Sequence, residues 1–88
     1  MNINDTLQER GKRYGEFKDH AEISQCLQWD MRQTSGWHKL EADQAEALEM
    51  IAHKIARILN GDPNYDDSWH DIAGYATLVA ERLRKLNE

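Results

Sequence analysis

A run from Ala45 to Ala76 limits this chain to a helical fold. Its first part, EALEMIAHKIARILNG, places Leu48, Ile51, Ala52, Ile55, Ile58 and Leu59 three and four residues apart. That is the period of a helix with one apolar face turned to a core. Asn60-Gly61 ends the pattern, because both residues tolerate the left-handed backbone of a helix end. Asp62-Pro63-Asn64-Tyr65 is then a turn, since proline cannot continue a helix. Beyond it Asp66 or Asp67 caps a last helix reaching about Leu86. Trp69, Ile72, Ala73, Ala76, Leu78, Val79 and Leu83 form its apolar positions. Gly74 costs about 1 kcal/mol inside that helix relative to Ala, and reads as a point where another helix comes close.

The upstream half follows the same period. Asn4 or Asp5 caps a short first helix whose inner face holds Ile3, Leu7 and the stem of Arg10. Gly11 and Gly15 end or bend it. A second helix runs from Glu16 to about Gln33, with Phe17, Ala21, Ile23, Leu27 and Met31 apolar and Trp29 on another side. His20 reads as a surface residue and Cys26 as core filler. Thr34-Ser35-Gly36 interrupts the pattern, and Trp37 with Leu40 anchors the start of a third helix spanning Glu41 to Asn60. No alternation of strand type occurs. The expected architecture is all-α, a helical bundle of three long helices plus a short N-terminal one.

At 88 residues the chain is a single domain, 1–88. A domain of this size is marginal when it must bury everything alone, and completion by a homo-oligomer is expected. A net charge of −5 opposes bulk nucleic-acid binding, which needs clustered Lys and Arg. Cys26 is the sole cysteine, which fits a reducing cytoplasm. Neither a signal-peptide pattern nor a membrane span is read from the chain.

The third and fourth helices carry the candidate chemistry. Glu46, Glu49 and His53 share one helical column, and Asp67, Asp71 and Tyr75 share another. With the helices antiparallel, Glu49 and His53 face Asp67 and Asp71. Facing carboxylates are how a helical bundle builds a metal site, and Mg²⁺ takes one or two carboxylates with a substrate phosphate. Such an ion would polarise a phosphoryl group and activate water. Lys54 and Arg57 suit phosphate charge. The same acids also suit helix N-termini, and the same cations could pair with them across the seam. In the N-terminal RGKRYGEF segment, Arg10, Lys12 and Arg13 fit either a phosphate contact or a solvated helix end.

These residues carry a resemblance. Lys54-Ile55-x-Arg57-Ile58, followed by Asp67-Ser68-Trp69-x-Asp71-Ile72-Ala73-Gly74-Tyr75-Ala76, resembles a family of small phage-encoded domains of unknown function. Arg10 or Arg13 with Tyr14-Gly15 fits its N-terminal R-x-x-Y-G. The helix pair is more distantly similar to all-α nucleotide pyrophosphohydrolases of the MazG type. That resemblance implies a MazG-like helical arrangement, oligomerisation, Mg²⁺ and cleavage of nucleoside triphosphates to monophosphate and pyrophosphate. It implies a metal set drawn from Glu46, Glu49, Asp67 and Asp71, with Asp71 and Glu49 catalytic. Glu46-x-x-Glu49 matches its first metal pattern, whereas Ser68-x-x-Asp71 lacks the leading acid unless Asp67 replaces it.

The expected function is nucleotide handling in a host-cell cytoplasm. Lys54, Arg57, Tyr75, His53 and Arg13 are the expected ligand contacts, with pyrophosphohydrolysis left open. Two alternatives stand beside it. One is a non-catalytic sponge that sequesters a nucleotide signal in counter-defence. The other is a protein–protein interaction module anchored by Trp29, Trp37 and Trp69.

Overall fold

The longest apolar pattern in the chain becomes the central helix of the structure. A computed structural model describes residues 2–88 and contains helices α1 (Ile3–Tyr14), α2 (Phe17–Arg32), α3 (Ala42–Asn60) and α4 (Asp67–Leu86). A short 3-10 helix, Ser35–Lys39, links α2 to α3, and no strand occurs among the described residues. The fold is all-α, as the periodicity requires. No described helix is long and apolar enough to cross a membrane.

The helix ends follow from local chemistry. Asn2, rather than Asn4 or Asp5, caps α1 by accepting from the Asp5 N–H at 3.0 Å. Gly11 does not break α1. The helix stops at Gly15, whose φ of 77° is the conformation glycine adopts without penalty. Thr34 caps the 3-10 helix through Trp37 N–H, and the Gln44 side chain accepts the Glu41 N–H ahead of α3. Asp66 precedes α4 with no capping hydrogen bond from its side chain, so the expected Asp cap is not formed.

α3 is the common neighbour. α2 packs on one side of it, α4 packs antiparallel on the other, and α1 crosses near its C-terminal end. The turns are tied together at one corner. Asn60 Nδ2 donates to the carbonyls of both Tyr14 and Glu16 at 2.9 Å, and Asp62 N–H donates to Arg13 O at 2.9 Å. Gly61 has φ −130°, so the left-handed cap expected there is absent. Its glycine serves close approach instead: a Cβ would lie 2.2 Å from Arg13 O. Gly74 is the opposite case, because no atom of this chain comes within 4 Å of a Cβ built there. At the far end Arg82 grips both carboxylate oxygens of Asp43 and reaches Glu41 at 2.8 Å, joining the end of α4 to the start of α3.

The interior is small-residue and polar. Ala47, Ala52 and Ala56 are the buried apolar residues of the described chain, while His20, Ser24, Gln28, Lys54 and Ser68 are buried beside them. Leu48 and Leu59, read from the periodicity as core, are 40% and 67% exposed. The period identified an apolar face correctly but not what covers it. Cys26, read as core filler, is also exposed.

Candidate functional site

The corner built by Gly15, Asn60 and Gly61 leaves a hollow of about 520 Å³ between α1, the start of α2 and α3. Leu7, Arg10, Gly11 and Tyr14 of α1 form one wall, Gly15, Glu16, Phe17 and His20 another, and Arg57 of α3 the floor. Helical spacing places Leu7, Arg10, Gly11 and Tyr14 on a common stripe of α1. Phe17 is 76% exposed at its mouth.

Arg57 is the distinctive group. Its guanidinium carbon sits 4.3 Å from the centre of the Tyr14 ring, a cation–π contact. Its Nε is buried with no hydrogen-bond partner among the described residues. The cation forms no ion pair among them either. Buried donors are nearly always satisfied, so this nitrogen has bonding capacity left for an acceptor such as water or a ligand oxygen. Tyr14 is held in place by its hydroxyl, which donates to Asp67 at 3.3 Å. Burial raises the Tyr14 pKa, with Arg57 opposing and Asp67 reinforcing that shift.

Behind Arg57 lies a histidine pair. His20 Nε2 and His53 Nδ1 are 3.2 Å apart, so one imidazole donates and the other accepts. His20, read as a surface residue, is only 4% exposed and lines the hollow. Burial lowers its pKa, and Arg57 and Lys54 lower it further. Burial pushes His53 down to about 4, helped by His20, Arg57 and Lys54. Both rings are neutral at pH 7, which leaves the local positive charge with the arginines and Lys54.

The residues singled out from the sequence separate into four places. Arg57 enters the hollow, with His53 one layer behind it. Lys54 turns to α4 and meets Asp71 at 3.0 Å, a contact that also lowers the Asp71 pKa. Arg13 pairs with Glu9 at 3.1 Å and lies 4.3 Å over the Tyr65 ring, outside the hollow. Tyr75 lines a separate, shallow depression on α4 with His70, Asp71, Gly74 and Leu78.

The expected magnesium ligands are not assembled. Glu49 faces α2, 3.7 Å from Arg32; Asp67 holds Tyr14; Asp71 holds Lys54; Glu46 is exposed. Among the described residues no three His, Cys, Asp or Glu side chains form a group able to hold a metal ion. The spacing within each helix was right, but α3 turns Glu49 toward α2 and away from α4. Glu46, Glu49, Asp67 and Asp71 therefore do not converge on one point in this structure.

Tyr14 and Arg10 stand out in the sequence, whereas Phe17 and His20 join them at this site only through the fold. The signal for His20 was present in the i, i+4, i+8 series His20, Ser24 and Gln28, which can lie flat against the alanines of α3. No curated protein and no solved structure is significantly similar to this chain. A family profile does match, over residues 3–83, and the chain belongs to that family, the domain of unknown function DUF6378.

Proposed function

We propose that this domain binds a nucleotide, with a phosphate oxygen on Arg57 and the base against the apolar wall of the hollow. The observation that carries the reading is the buried, unpartnered Nε of Arg57 beneath Tyr14. A phosphate oxygen supplies the missing acceptor, and charge-assisted bonds to a guanidinium are the strong class. Arg10 at the rim adds a second cation, and Leu7 and Phe17 offer apolar surface to a base. Base–aromatic stacking is worth about 1–3 kcal/mol. Glu16 is an acceptor for sugar hydroxyls at the same rim.

The choice of a nucleotide as the ligand class rests on the sequence resemblance of the α3–α4 pair to MazG-type pyrophosphohydrolases. The hydrolytic half of that resemblance has no joint carboxylate set here, so retention of an intact nucleotide is the activity we assign, as in a sponge for a nucleotide signal. The test is incubation with a mixed nucleotide panel, with and without Mg²⁺, then ultrafiltration and chromatography. One nucleotide should leave the filtrate and return intact from the denatured protein. Arg57→Ala should weaken that binding by about 1.5–3 kcal/mol, on the order of ten- to a hundredfold. An unchanged panel would sink the proposal; new monophosphate and pyrophosphate would replace it with an enzyme. A protein-interaction reading is favoured by a different observation, the outward-facing rings of Trp29 and Trp69, and would leave the panel unchanged.

A further inference from the structure

α3 is contacted unevenly around its circumference. Glu49, His53 and Asn60 point to α2 and the α1–α2 corner, while Asp43 and Lys54 reach α4. Residues advance about 100° each along a helix. The widest remaining arc, between the buried Ala47 and Ala52, therefore carries Gln44, Leu48, Ile51, Ile55, Ile58 and Leu59. None of these is charged, in a chain that is 31% charged. Leu48 and Leu59 are exposed, and Ile51 and Ile55 only half-buried. The strongest apolar stripe of the sequence lacks a cover.

We propose that a second copy of this chain covers that stripe, α3 against α3 in antiparallel fashion, forming a two-fold dimer. Three observations select a second copy as the occupant. First, no large side chain among the described residues is fully buried within one chain, and their buried apolar residues are three alanines. A fold so poor in core needs its cover permanently, and a copy of the same chain is the partner always present with it.

Second, the accessible surface is 6517 Å². A compact monomer of this mass exposes about 5,400 Å². The excess of about 1,100 Å² is comparable to the roughly 800 Å² each partner loses in a standard interface. The radius of gyration, 15.1 Å against about 12 Å for a compact chain of this length, points the same way.

Third, the stripe reads alike in both directions. Leu48 and Leu59 stand at its ends, with Ile51 and Ile55 between. An isologous contact sets Leu48 against the partner's Leu59 and Ile51 against the partner's Ile55, as two-fold symmetry demands. Arg57 lies about 160° around α3 from Leu59. The hollow stays open in the dimer, and the two proposals fail independently.

The test uses the full chain in sedimentation and in thermal unfolding across a hundredfold range of concentration. The wild type should sediment near twice 10.3 kDa, with a melting temperature that rises with concentration. Leu59→Glu should give the monomer mass, or a chain that unfolds at concentrations where the wild type is folded. Leu78→Glu, on α4 beside the shallow depression, should leave the dimer intact. A wild type that stays at monomer mass with a concentration-independent melting temperature would overturn the proposal. So would a dimer that survives Leu59→Glu.

Discussion

Lys54 Nζ and Asp71 Oδ2 lie 3.0 Å apart across the α3–α4 seam, the lysine buried and the aspartate half-buried. This contact converts two residues with the look of a catalytic set into a structural pair. Removing the acid strands a cation where little water reaches it, and stranding a buried charge is costly.

Asp71→Ala should therefore destabilise the fold, less than loss of a fully buried partner would, because solvent reaches the carboxylate. Urea denaturation checks this. Adding Lys54→Met should recover most of the loss, because the double variant buries no unpaired charge. A double-mutant cycle without coupling would contradict the assignment.

The histidine pair makes stability depend on pH. His53 falls to about 4 in the folded chain from an ordinary value near 6.5, so the unfolded chain binds more protons between those values. Stability should be level above about pH 6.5, fall as the pH drops toward about 4, and level again below. Neighbouring carboxylates add their own loss at the acidic end. Urea midpoints measured from pH 8 to pH 4 test this, and His53→Gln should flatten the slope between pH 6.5 and 5.

Two pairs of glycines should respond with opposite signs. Gly15→Ala puts a Cβ 2.2 Å from Asn60 O at a φ of 77°, and Gly61→Ala meets Arg13 O at 2.2 Å. Each should lower stability by about 1–3 kcal/mol. Gly11→Ala and Gly74→Ala meet nothing within 4 Å and sit inside helices. Each should raise stability by about 0.5–1 kcal/mol, a few degrees in melting temperature.

The sequence carried the helices well and their mutual rotation poorly. Pro63, Gly15 and the apolar spacing are local signals, and the boundaries of α2, α3 and α4 fall within about two residues of the positions they imply. The four acids Glu46, Glu49, Asp67 and Asp71 stand apart for a non-local reason. Glu49 and Asp71 have suitable spacing within their own helices, but spacing does not fix the angle at which α3 presents Glu49, and it faces α2. Leu59 and His20 exchanged their expected environments because burial is decided by the neighbour. Leu59 is 67% exposed, whereas His20 is buried with its ring against His53 of α3. Arg57 stood out in the sequence by its charge; that its Nε would be buried without an acceptor was not legible there.

Asn60 stands three residues after Arg57, on the same helix end. The two carbonyls it grips flank Gly15, at the edge of the hollow above Arg57. The distance from floor to wall is thus set by a covalently continuous turn of helix and two hydrogen bonds, all present before anything enters. A cavity held open this way spends no binding energy on closing a loop or ordering a strap. On the proposed reading its selectivity would come from fixed dimensions, so guests that differ by one ring or one phosphate would differ in how fast they leave far more than in how fast they arrive.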